Sequence, residues 1–159
     1  MKDRFGDTPL SLATRNGHER VVKLLLEEKA DPNLEDQSHR TPLSMAAENG
    51  HEGILKLLLG SKANSNLKDL SHRTPLLWAA QNGHKGIVKL LLESKADPNL
   101  NDQFSQTPLS WAVGKVYEGI VKLLLENKAD LNLKGSNTVI VGSREGPRQY
   151  REASTREKG

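Results

Sequence analysis

The hydrophobic residues of this chain recur in a fixed order every 33 residues. Each time, a short stretch that opens with Thr-Pro-Leu is followed by a turn sequence and then by a run of Ile, Val and Leu. The opening threonines are Thr8, Thr41, Thr74 and Thr107. The 33-residue segments that start at Thr41 and Thr74 are identical at 20 positions. A period of this size predicts stacked supersecondary units that bury their apolar faces on one another.

Each unit predicts two helices joined by a tight turn. Thr is a favourable helix N-cap, and Pro fits the first helical position because it loses no helix hydrogen bond there. Gly17, Gly50 and Gly83 predict the turns, since Gly adopts the left-handed conformation that a sharp turn requires. In each second helix we expect about three or four apolar residues to be fully buried.

The shared string of Thr-Pro-Leu, Ala, Asn-Gly-His and Leu-Leu-Leu resembles the ankyrin repeat. The resemblance implies an all-α fold, an ankyrin repeat solenoid of stacked helix-turn-helix units with short β-hairpin-like fingers. The repeat domain would occupy residues 1–134, with four units at about 3–35, 36–68, 69–101 and 102–134. We expect the polar tail, residues 135–159, to be mostly disordered or to form a partial cap.

Composition and charge narrow the class of protein further. The absence of Cys and of an apolar segment before the first unit favours an intracellular protein, cytoplasmic or nuclear, that contacts no membrane. We expect a monomer. Residues 1–134 contain 18 Lys and Arg against 17 Asp and Glu, and residues 135–159 contain five against three. The repeat body therefore lacks the positive face of a nucleic-acid-binding domain, and only the tail would support that hypothesis.

The sequence contains no motif of a known catalytic class and no Cys nucleophile. A histidine recurs once per unit, at His18, His51 and His84. Neighbouring helices lie about 8–10 Å apart, which is too far for these side chains to share one zinc ion, so we predict bonds to backbone instead. Asp31, Asp97 and Asp130 are predicted to satisfy loop backbone. We therefore predict no enzyme activity, no cofactor and no metal site.

Two features depart from the ankyrin pattern. The Gly that usually ends the second helix is replaced by Lys29, Lys62, Lys95 and Lys128. A left-handed Lys costs about 1 kcal/mol relative to Gly, although a cation near a helix C-terminus offsets part of this, and a ridge of ammonium groups for an acidic partner is the functional alternative. In unit four, Gly114-Lys115-Val116-Tyr117 replaces the Asn-Gly-His turn. Because Val is costly at positive φ, we expect this turn to be built differently, around Gly114.

One position of the first helices carries Leu12, Met45, Trp78 and Trp111 in successive units. Two interpretations are open for the tryptophans. They pack between repeats, or they lie partly open on the concave side and anchor a partner, as Trp does at many binding hot spots.

The resemblance also implies which finger and first-helix positions touch a partner. They fall on Arg4, Phe5, Arg40, Leu70, Arg73, Trp78, Gln81, Gln103, Phe104 and Trp111. Apolar residues at predicted exposed tips, rimmed by Arg, are typical of a protein-binding surface. We predict a non-catalytic protein-protein interaction module that binds a partner of unknown identity on its concave face and finger tips. The alternative is a structural spacer, or a fragment of a longer array, with no binding activity of its own.

Overall fold

The computed structural model describes residues 1–132 and, as backbone strands, residues 138–140 and 150–152. The described residues contain eight helices, two in each unit. They are α1 (Pro9–Arg15), α2 (Glu19–Glu27), α3 (Pro42–Asn49), α4 (Glu52–Gly60), α5 (Pro75–Asn82), α6 (Lys85–Glu93), α7 (Pro108–Gly114) and α8 (Glu118–Glu126). The predicted all-α solenoid of helix-turn-helix units is confirmed.

The first helix of every unit begins as predicted. The Oγ1 atom of each Thr accepts a hydrogen bond from the backbone N–H three residues later, at 3.1–3.2 Å. Pro follows at the first helical position in all four units. Because the cap satisfies a donor that the helix itself leaves free, these short helices have a fixed starting point.

The units stack with like helices in contact. The first helices α1, α3, α5 and α7 form one row and the second helices form another. The expected burial of second-helix residues holds in the central units, where α4 buries three residues and α6 buries four. It is wrong for the end units, where α2 buries Val22 alone and α8 buries Ile120 and Leu124. An end unit has a described neighbour on one side only, so one flank of its second helix is left open.

The turns between the two helices of a unit use positive φ, as predicted. Gly17, Gly50 and Gly83 have φ angles of 74°, 77° and 77°. After each second helix, the Lys at the predicted position also adopts the left-handed conformation. These residues are Lys29, Lys62, Lys95 and Lys128, with φ between 66° and 68°.

The turn of unit four corrects the sequence-based expectation. Gly114 ends α7, and Val116 itself takes the left-handed conformation at φ 61°, in register with Gly83. The backbone bonds of the turn are kept: Tyr117 N donates to Ala112 O at 2.9 Å, as His84 N donates to Ala79 O at 3.0 Å. The helix pair therefore imposes the same turn on every unit, whatever residue occupies it.

Two short strands lie in the tail. The strands β1 (Thr138–Ile140) and β2 (Tyr150–Glu152) pair antiparallel, with Val139 opposite Arg151. The remaining tail residues, on which the expectation of disorder or a partial cap rests, lie outside the described residues. That expectation stays a prediction.

Candidate protein-binding surface

A finger precedes the first helix of each unit, and an aspartate at its first position shapes it. We number the fingers one to four, at residues 3–7, 36–40, 69–73 and 102–106. In each finger, Oδ1 of the leading Asp accepts the backbone N–H groups two and four residues later, at 2.8–2.9 Å. The finger reverses the chain through turns, without strand structure.

Sequence reasoning missed the role of these four aspartates. Their spacing of 33 residues was the signal that could have revealed it, at Asp3, Asp36, Asp69 and Asp102. A carboxylate that accepts two backbone N–H groups holds a tight loop in one conformation. The finger side chains are therefore presented from a rigid base.

A second polar row lies where each second helix leads into the next finger. Asp31, Asp97 and Asp130 accept the N–H two residues later at 2.8 Å, which confirms their predicted role in satisfying loop backbone. The row also crosses between units, because Asn33 Oδ1 accepts the N–H of Asn64 at 2.8 Å. These carboxylates are structural.

Neighbouring fingers are joined by backbone hydrogen bonds near their tips. Leu70 N donates to Ser38 O at 3.1 Å, and Gln103 N donates to Ser71 O at 3.0 Å. A third and longer bond runs from Gln37 N to the finger before it. The four tips therefore form one continuous edge beside the first helices.

A groove opens between fingers two and three. Its volume is about 230 Å³, and its lining includes Ser38, Arg40, Leu70, Arg73 and Trp78. Four of these residues, all except Ser38, belong to the predicted partner-binding set, so the structure brings them together. Leu70 is 60% exposed and Trp78 is half-buried. The groove thus combines an apolar surface with two guanidinium groups.

The other predicted site residues lie outside this groove. Phe5 and Phe104 are exposed at the tips of fingers one and four, and the guanidinium of Arg4 lies 4.9 Å from the ring centre of Phe5. Gln103 is exposed beside Phe104, and Gln81 lies partly buried on α5. They extend the surface along the edge of fingers.

The stripe at Leu12, Met45, Trp78 and Trp111 is divided by burial. Met45 is fully buried, Trp111 is 2% exposed, and Trp78 is half-buried. Both indoles donate to the leading Asp of their own finger, Trp78 Nε1 to Asp69 Oδ2 at 3.1 Å and Trp111 Nε1 to Asp102 Oδ2 at 3.2 Å. The prediction that Trp111 contacts a partner is wrong, because its buried side chain is not accessible to one. Of the two tryptophans, only Trp78 is exposed enough to contact a partner.

Histidines at the turns of units two and three contact the unit before each of them. His51 Nε2 lies 3.4 Å from the carbonyl oxygen of Arg15, and His84 Nε2 lies 3.1 Å from that of Glu48. This confirms the predicted bonding to backbone for these two residues. Within the part of the chain that the structure describes, no three His, Asp or Glu side chains form a group that could hold a metal ion.

The repeat architecture agrees with a family comparison. A family model described as ankyrin repeats in three copies matches residues 1–69 and, a second time, residues 54–135. The chain therefore belongs to the ankyrin repeat family. Proteins of this family generally act through protein-protein interaction and are generally non-catalytic.

A search of curated proteins found no significant match. None of the helices in the described residues is both long enough and apolar enough to cross a membrane.

Proposed function

We propose that this chain is a non-catalytic protein-binding module whose partner contacts the finger tips and the face of the first helices, which we take to be concave. The observation that carries the proposal is the groove between fingers two and three, where Leu70, Trp78 and two arginines come together. An exposed Leu at the tip of a finger adds nothing to the core of the stack. The proposal assigns this exposed side chain a contact with the partner.

The composition of this surface supports the same conclusion. Trp and Arg are the residues that most often dominate binding energy at protein interfaces, and a half-buried Trp fixed by a hydrogen bond loses little freedom on binding. Phe5 and Phe104 place further apolar surface at the outer tips. The four fingers are held rigidly, so a partner would meet a preformed surface.

A capture experiment with a matched pair of variants tests the proposal. The immobilised wild-type chain is compared with Leu70→Asp and with Leu24→Asp, both of which place a charge at an exposed leucine. Leu24 lies on α2, away from the fingers. We expect specific proteins to be retained by the wild type and by Leu24→Asp and to be lost with Leu70→Asp.

Two outcomes would contradict the proposal. If no protein is retained specifically, the chain is a structural spacer or a fragment of a longer array. If retention depends steeply on salt and vanishes when residues 135–159 are deleted, the tail binds nucleic acid instead. We also propose that the protein is intracellular and monomeric. Sedimentation of the purified chain tests whether it is a monomer.

A further inference from the structure

Two arginines occupy equivalent positions at the ends of fingers two and three, yet their surroundings differ. Arg40 Nη1 lies 2.9 Å from Glu48 Oε2, and Arg40 Nε lies 3.5 Å from Asp36 Oδ2. Thirty-three residues after Glu48, unit three has Gln81, which carries no charge. The ion pair that neutralises Arg40 therefore has no counterpart at Arg73.

The remaining carboxylate near Arg73 is also engaged elsewhere. Asp69 Oδ1 accepts two backbone N–H groups of finger three, and Asp69 Oδ2 accepts Trp78 Nε1. Among the described residues, no carboxylate oxygen lies within 4.0 Å of the Arg73 guanidinium, which instead lies 4.5 Å from the ring centre of Trp78. Arg73 Nε and Gln81 Oε1 are buried without a hydrogen-bond partner.

Within the described part of the chain, Arg73 thus has no carboxylate ion pair, and its guanidinium lies against an aromatic ring at the wall of an open groove. A guanidinium prepared in this way pairs strongly with a carboxylate, because its planar fork matches the two oxygens and part of its hydration is already lost. Leu70 adds an exposed apolar surface to the same groove.

Resting on the proposed function, we infer that this groove recognises a protein segment in which an acidic side chain adjoins an apolar one. The carboxylate pairs with Arg73, and the apolar side chain packs against Leu70 and Trp78. Unit three is therefore the centre of specificity, and the more fully neutralised finger two forms its rim.

Selection from a displayed library of random peptides tests the inference. We expect peptides selected on the wild-type chain to be enriched in Asp or Glu next to a large apolar residue. Arg73→Gln should weaken a selected peptide by about tenfold or more, which corresponds to the loss of a charge-assisted hydrogen bond. Arg73→Glu should select peptides with Lys or Arg in place of the acidic residue.

The most informative variant is Gln81→Glu, because it copies Glu48 of unit two and leaves Arg73 in place. The new carboxylate should pair with Arg73, so that the preference for acidic peptides disappears while the fold is kept. Lys89→Gln, an exposed change on α6 that removes one positive charge, is the matched control and should leave the selection unchanged. Circular dichroism of each variant establishes that it is folded.

The outcomes separate this inference from the proposed function. Peptides that require Leu70 but show no acidic residue, or that bind Gln81→Glu as well as the wild type, overturn the inference and leave the proposed function standing. Peptides whose acidic preference is lost equally with Lys89→Gln reflect net charge alone and also overturn it. A library in which nothing depends on Leu70 overturns both.

Discussion

The turns of the central units and the turn of unit four have the same backbone and different residues. Gly50 and Gly83 sit at φ 77°, and a Cβ atom added there would lie 2.8 Å from the ring of His84 or 2.9 Å from the ring of Tyr117, each in the following unit. Val116 adopts φ 61° and is 74% exposed. No ring of a following unit covers it within the described residues.

The comparison separates two requirements that Gly meets in a central turn. One is conformational, because only Gly takes a left-handed conformation without strain. The other is steric, because the next unit places a ring where a side chain would be. Val116 adopts the strained left-handed conformation, but no ring of a neighbouring unit within the described residues crowds its side chain. Unit four therefore tolerates a residue that no central unit could hold.

The largest effect is expected where both requirements are broken together. Gly50→Ala adds left-handed strain and a contact with His84 that is too close, so it should destabilise the fold by about 2–4 kcal/mol. Urea unfolding measures this. Gly60→Ala is the control, because nothing lies within 4 Å of its Cβ position at the end of α4. It should be neutral or stabilising by up to about 1 kcal/mol, and equal losses in both variants would refute the steric argument.

Val116→Gly tests the conformational requirement alone. Because the Val side chain is mostly exposed, its removal loses little buried surface, and relief of the left-handed strain should stabilise the chain by about 1–2 kcal/mol. The control is Val113→Gly, also exposed but inside α7, which should destabilise the helix by up to about 0.5 kcal/mol. A lower melting temperature for Val116→Gly would show that the valine has a packing role.

Lys95→Gly extends the comparison to the left-handed residue after a second helix. Lys95 has φ 66° and is exposed, so Gly should raise stability by about 1 kcal/mol, less the favourable effect of a cation near the helix C-terminus. Thermal unfolding at low and high salt measures both contributions. Ser94→Gly, at the neighbouring residue with φ −85°, should have the opposite sign. An unchanged or lower melting temperature for Lys95→Gly would refute the prediction.

The smallest effect is expected for Tyr117→His, which restores the residue of the central turns. The ring that faces Gly83 becomes smaller, and the imidazole regains the option of a bond to backbone that His51 and His84 make. These contributions oppose each other, so we expect a change within about 0.5 kcal/mol. A loss above about 1.5 kcal/mol would assign the phenol ring a specific packing role.

The elements that sequence predicted correctly depend on neighbouring residues. Thr before Pro sets a helix start, and Gly after Asn sets a turn, because the partners lie within four residues along the chain. The turn of unit four was predicted wrongly for the opposite reason. Its conformation follows from the packing of α7 against α8, and residue preference at Val116 is too weak to change it.

The candidate site was predicted only in part, because a position in the repeat does not determine how deeply its side chain is buried. The resemblance to ankyrin repeats predicted Arg40, Leu70, Arg73 and Trp78 as partner contacts, and the structure places all four on one groove. The burial of Trp111 was not predictable, since exposure depends on what packs over a side chain and not on its position in the repeat. The change from Glu48 to Gln81 was visible in the sequence, but its meaning required the distance between Arg40 and Glu48.

The positions of the two tryptophans have a practical consequence. Trp78 and Trp111 are the only Trp residues of the chain, and they lie on α5 and α7. Intrinsic fluorescence therefore reports on units three and four, whereas far-ultraviolet circular dichroism sums the helices of every unit. Melting curves from the two signals coincide only if the whole stack unfolds in one step. The native protein thus carries a built-in optical probe of whether its two halves unfold together.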